Sequence, residues 1–158
     1  MKKLMIALAI VAIASVAQAE LLATWSTADN SGTVTAGGNA NVVVSGLSLL
    51  GSAVKSTSTT DVWGMNTLNG AGRGFQFTIS SITAGYTLTG ATIAGTASGS
   101  ATGPRQMDWY IGAGAVAGQS ITRTVTTATA FNNTLGTLAS GDVVSLQVNT
   151  AAGTVRSG

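Results

Sequence analysis

Residues 74–81 read Gly74-Phe75-Gln76-Phe77-Thr78-Ile79-Ser80-Ser81. Phe75, Phe77 and Ile79 fall on alternate positions, with Gln76, Thr78 and Ser80 between them. Only an extended strand, whose side chains change face at every residue, separates those two sets cleanly. One face of this strand is bound for an apolar interior and the other for water. The same parity recurs at Arg105 to Gly112, where Met107, Trp109 and Ile111 oppose Gln106, Asp108 and Tyr110. It returns after the Ser140-Gly141 turn, from Asp142 to Asn149, with Val144, Leu146 and Val148 directed inward. In Ser120 to Thr127, Ile121, Arg123 and Val125 share a face, so alternation alone leaves open which side meets the core.

Outward from these segments, Thr83-Ala84-Gly85 reads as a turn leading into Tyr86-Thr87-Leu88-Thr89, which predicts a hairpin with the preceding strand. Beyond Gly90 the apolar parity slips from Tyr86 and Leu88 to Ala91 and Ile93, the mark of a bulge. Weaker strands are predicted at Leu21 to Ser26, Asn41 to Leu49 and Thr134 to Leu138. Thr27 to Asn41, Gly51 to Ala71 and Gly95 to Gly103 read as connections. After residue 19, Val, Ile and Thr supply 41 of 139 residues, a β-branched load suited to pleated surfaces, and no helical periodicity persists there. About eight strands with Gly, Ser, Asn and Asp turns predict an all-β chain, an antiparallel β-sandwich or jelly roll.

Residues 1–19 have the form of a secretory leader: Lys2 and Lys3, an apolar run from Leu4 to Ala14, and the small-residue site Ala17-Gln18-Ala19 before Glu20. The run is too short to span a bilayer. Cleavage there leaves residues 20–158 as one sandwich domain. The formal charge of +2 then vanishes, since Lys55, Arg73, Arg105, Arg123 and Arg156 balance Glu20, Asp29, Asp61, Asp108 and Asp142. A neutral chain offers no footprint for nucleic acid. With no cysteine and no histidine, disulfides, thiol nucleophiles and a histidine-based triad are excluded. Aromatic residues at 5% are too few for the two girdles of a membrane barrel.

Phe75-Gln76-Phe77-Thr78-Ile79, then Ala84-Gly85-Tyr86-Thr87-Leu88, then Thr102-Gly103-Pro104 shortly before Trp109, form a recognisable succession. It resembles the secreted bacterial β-sandwich proteins that carry a PEP-CTERM sorting tail. Leu22-Ala23-Thr24-Trp25 is similar to their first strand. The resemblance implies export and retention at the cell surface, and no particular chemistry. The chain departs from it after Arg156-Ser157-Gly158: a Pro-Glu-Pro motif, an apolar helix and a basic cluster do not follow, as in a truncated domain or one with a different tail.

Flat aromatic faces cover the apolar faces of sugar rings, so Trp25, Trp63, Trp109 and Tyr110 are the residues to weigh for binding. Trp25 and Trp109 share parity with apolar neighbours and are expected in the core. Trp63, beside a polar run and Gly64, and Tyr110, on the polar side of its strand, remain as a weak ligand platform. Gly70-Ala71-Gly72-Arg73-Gly74 opens a strand rather than a helix, so a turn is expected there and not a phosphate loop. Asp29 and Asp142 read as turn residues. Asp108 stands beside Trp109, where a salt bridge to Arg105 or Arg123 accounts for it. Loop carboxylates, Asn side chains and backbone carbonyls could hold a structural calcium ion, but no acidic cluster has calcium-loop spacing to support one, and no cofactor is expected. Asn132-Asn133-Thr134 has the form of a glycosylation sequon. These features together predict a secreted, non-enzymatic cell-surface or extracellular-matrix protein, with extracellular polysaccharide as a partner class. A self-assembling structural or adhesive subunit is the alternative, and a polysaccharide hydrolase a third.

Overall fold

The computed structural model describes residues 20–25, 33–36, 39–51, 53–55, 65–66, 71–97, 106–122 and 129–149. The leader, Trp63, Pro104, Arg105 and Arg123 lie outside them. In chain order the strands are β1 (Thr24–Trp25), β2 (Val34–Ala36), β3 (Val42–Val44), β4 (Ser48–Leu50), β5 (Val54–Lys55) and β6 (Met65–Asn66). They continue as β7 (Gly74–Ile82), β8 (Leu88–Ala97), β9 (Gln106–Ile111), β10 (Gly114–Thr122), β11 (Thr129–Leu138) and β12 (Val143–Val148). The described residues contain no helix, as the all-β reading requires.

Six strands form one antiparallel sheet, ordered β10-β9-β12-β7-β3, with β4 also on β7. Strands β8 and β11 form a separate antiparallel ribbon whose apolar face packs on that sheet, giving the two layers of a sandwich. Short pairs β1-β2 and β5-β6 complete the strands. Between the layers lie Phe77, Ile79, Met107, Trp109, Ile121, Val144, Leu146 and Val148 from the large sheet, with Ala91, Leu135 and Leu138 from the ribbon. Every residue that alternation directs inward from β7, β9 and β12 packs in or against this cluster, and Ile121 settles the orientation of β10.

Strands β2, β5 and β6 fall within segments read as connections, and three further sequence expectations need correction. Thr83–Gly85 does form a turn, closed by Tyr86 N–H on the Thr83 carbonyl (3.1 Å), but β8 does not pair with β7. Both edges of β7 are already taken: β3 and β4 lie along one, while β12 and the Gly141–Asp142 turn lie along the other. The chain must therefore leave the sheet, and Tyr86 is left exposed at the crossing. Second, the segment from Asn41 to Leu49 is two strands. Ser45 breaks it, its amide donating to the Thr78 carbonyl (2.9 Å) and its hydroxyl oxygen accepting from Thr78 N–H (2.8 Å). Third, β10 begins at Gly114 and β11 at Thr129, both earlier than expected, because glycine and alanine hide the pattern in β10 and Asn132-Asn133 interrupt it in β11.

The bulge expected at Gly90 is present. Leu88 pairs with Leu138 and Ala91 with Gly136, so β8 holds one extra residue there, with Gly90 at φ 63°. A second bulge on β11 follows, since Thr134 faces Thr92 while Gly136 faces the adjacent Ala91. The offsets oppose one another and return both strands to a common register.

Trp109 binds the layers through two residues of β11, Phe131 and Asn133. Phe75 meets Trp109 edge-on at 5.9 Å between ring centroids, and Trp109 meets Phe131 of the ribbon at 6.5 Å. Asn133 on β11, buried, accepts from the Trp109 indole N–H (3.2 Å) and donates to the Ser120 carbonyl (3.2 Å) and to Gln119 Oε1 (3.3 Å). The Gln119 Oε1 also accepts from Thr134 N–H (2.8 Å), standing in for a neighbouring strand's carbonyl. Trp25 lies 4.8 Å from Phe77, centroid to centroid, and gives its indole N–H to the Ser45 carbonyl at 2.9 Å.

Candidate functional site

The face of the six-stranded sheet turned away from the ribbon is built by the second half of the same alternation. Register sets its side chains in rows running across the strands. One row is Ser48, Gln76, Ser145, Tyr110 and Ala115, taken from β4, β7, β12, β9 and β10. The next is Leu50, Gly74, Gln147, Asp108 and Ser120. With strands about 4.8 Å apart, five of them span about 19 Å. The platform is thus long across the strands, polar, and carries one aromatic ring near its middle.

Two features fix its shape. Gly74 allows β7 and β12 to approach: a Cβ there would stand 1.8 Å from the Leu146 carbonyl oxygen. Gly74 is itself buried between its neighbours in the second row. Ser145 is only 2% exposed although it points away from the core, because it sits between the larger Gln76 and Tyr110 opposite it and accepts from the Gln147 amide at 2.7 Å. Tyr110, Gln76, Gln147 and Asp108 are half-buried, with edges available to a ligand.

Among the described residues, two side-chain amides hold Asp108. Its oxygens accept from Gln106 Nε2 (3.4 Å) and from Asn149 Nδ2. The salt-bridge partners expected for it, Arg105 and Arg123, lie outside the described residues. Beside Asp108 the ladder opens: Ala115 pairs with Tyr110 and Ser120 with Asp108, so residues 116–119 arch out of register opposite a single β9 residue. A shallow pocket of about 240 Å³ lies under that arch, lined by Gln106, Asp108, Val116, Gln119 and Ser120 among others.

Trp109 is fully buried and Trp25 packs against the core, both as expected. Tyr110 occupies the polar face, as its parity requires. Its suggested companion Trp63 lies outside the described residues. Asp142 acts in its turn, accepting from Ala139 N–H at 2.7 Å, and Glu20 accepts from Asn39 at 2.6 Å. Asp108 is thus the carboxylate that belongs to this face among the described residues. No group of three metal-ligating side chains occurs among those residues. Nor do they include a helix long and apolar enough to cross a membrane.

Sequence reasoning did not single out Gln147, Ser145 or Asn149. Their parity opposite Val144, Leu146 and Val148 was the available signal, but only register brings them beside Tyr110 and Asp108. Chemically, the face offers amide donors and acceptors, hydroxyls and one ring, a set that matches the hydroxyls and apolar ring faces of sugars. No family model matches this chain, and no curated protein or solved structure does.

Proposed function

We propose that this chain is an exported, non-enzymatic β-sandwich of the cell surface or extracellular matrix that binds neutral polysaccharide across the outer face of its six-stranded sheet. The observation that carries the reading is the pair of adjacent rows, Ser48-Gln76-Ser145-Tyr110 and Gly74-Gln147-Asp108-Ser120. Tyr110 supplies a flat surface that costs little rotamer entropy to order. The amides on either side supply directional hydrogen bonds. Neither row carries a basic side chain, so an uncharged glycan suits it better than an acidic one. The leader at residues 1–19 supports export.

Isothermal titration with soluble neutral glucans, mannans and xylans tests this. Binding by the wild type, with at least a tenfold loss in Tyr110→Ala and Gln147→Ala at unchanged urea midpoints, is the expected result; tenfold corresponds to about 1.4 kcal/mol. Absence of binding to every neutral glycan, or full affinity in both variants, overturns the proposal. Trp63→Ala, run alongside, reports whether that residue shares the site. Release of reducing ends that disappears in Asp108→Asn would replace it with the hydrolase reading.

A further inference from the structure

Strand β8 is ten residues long and pairs along one edge with β11. Among the described residues no strand pairs with its other edge. In any strand, successive residues turn their N–H and C=O groups to opposite edges, so half of those in β8 point away from β11. Natural edges of this length are usually guarded by lysine, proline or an inward charge. Leu88-Thr89-Gly90-Ala91-Thr92-Ile93-Ala94-Gly95-Thr96-Ala97 has none of these, and its guard is a bulge at Gly90, near one end.

The edge is also self-complementary. A second copy laid antiparallel about Ala94 sets Thr92 opposite Thr96, Ile93 opposite Gly95, Ala91 opposite Ala97, and Ala94 opposite itself. On the solvent face this gives two threonine pairs, which favour cross-strand neighbours. On the inner face it sets a large side chain against no side chain. Gly95 already lies under the Phe131 ring, which would be 2.9 Å from a Cβ placed there. Ile93 of the second copy would run alongside that ring and fill the notch beside it. The partner strand Thr129–Leu138 carries no charge either, so no like charges meet across the join.

We infer that β8 is a dimerisation edge: two copies of this chain pair β8 to β8 about a two-fold axis at Ala94, making one continuous β11-β8-β8-β11 sheet. An isologous join of this kind closes on itself and yields dimers, not fibres.

The mass in solution and a site-specific cross-link test it. Sedimentation equilibrium of the wild type should show twice the chain mass at high concentration, falling to one chain on dilution. Ala94→Lys, at an exposed position, should keep its urea midpoint and remain a monomer throughout, because it sets two ammonium groups face to face on the axis. Ala94→Cys, the sole thiol in a chain without cysteine, should cross-link to a dimer under mild oxidation, whereas Thr137→Cys on exposed β11 should not. A wild type that stays monomeric overturns the inference. A dimer that survives Ala94→Lys, or equal cross-linking by both thiols, overturns it equally by placing the contact elsewhere.

Discussion

Replacing Asn133 by alanine should destabilise the sandwich by about 2–4 kcal/mol, out of proportion to the few atoms removed. Trp109 is 0% exposed, so its indole N–H has no access to water, and Asn133 Oδ1 is its acceptor at 3.2 Å. Stranding that donor costs about 1–3 kcal/mol. Losing the bonds from Nδ2 to Ser120 and Gln119, at 3.2 and 3.3 Å, adds about 1 kcal/mol more. Single domains are stable by only about 5–15 kcal/mol, so the urea midpoint should fall visibly. Asn133→Asp is expected to be at least as damaging: it keeps an acceptor for Trp109 but turns a charge toward the Ser120 and Gln119 oxygens. Asn132→Ala, exposed one residue away, should stay within about 0.5 kcal/mol of wild type. The assay is urea unfolding followed by tryptophan fluorescence, with Trp109→Phe as the second arm of a double-mutant cycle. Removing the N–H removes the orphan, so Asn133→Ala should cost less in the Phe background, by about 1 kcal/mol or more. Wild-type stability in Asn133→Ala, or strict additivity with Trp109→Phe, would refute the claim that this side chain clasps the layers through the indole.

Other substitutions probe the backbone and the turns. Gly74→Ala should prevent accumulation of folded protein, because its Cβ would enter the Leu146 carbonyl at 1.8 Å and part β7 from β12; soluble yield and near-UV circular dichroism check this. Gly95→Ala meets only the Phe131 ring, at 2.9 Å, which can swing aside, so its cost in the same urea assay should be nearer 1 kcal/mol. Trp25→Phe keeps most of the packing on Phe77 but loses the bond to Ser45, for about 1 kcal/mol by the same measurement. Asp142→Ala deprives Ala139 N–H of its acceptor and should lower the urea midpoint by the equivalent of about 0.5–1.5 kcal/mol, while Asp142→Asn should restore much of it.

Alternation was legible wherever large apolar residues recur at period two. Phe75, Phe77, Met107, Trp109, Val144, Leu146 and Val148 identify both their strands and the face each presents. The slip at Gly90 was legible for the same reason, since a bulge is a phase change in that period. Pairing was not, because a strand's partner depends on which edges remain open. Nothing local to Thr83–Leu88 shows that β3, β4 and β12 already flank β7. Small residues concealed the start of β10, where Gly114, Ala115 and Ala117 leave no amplitude to alternate, and Asn132-Asn133 interrupted the apolar alternation between Phe131 and Leu135 in β11. The outer face was half legible. Tyr110 stood out as a ring on a polar side, while Gln147 and Ser145 became its neighbours only through register. Asn133 was the hardest to find: in sequence it is the middle of a polar triplet, and its role arises from a tryptophan 24 positions away and a glutamine 14 away.

Strand β12 lies between β7 and β9, pairing Thr78 with Val143 on one side and Ile111 with Val144 on the other. The sheet therefore has its keystone near the C-terminal end of the described chain. Until Val143–Val148 has emerged from the ribosome, β7 and β9 have no hydrogen-bonded route to one another, and their apolar faces stay unsealed. The large sheet therefore cannot close strand by strand in chain order: β7 and β9 must both wait for β12, which follows them and joins them.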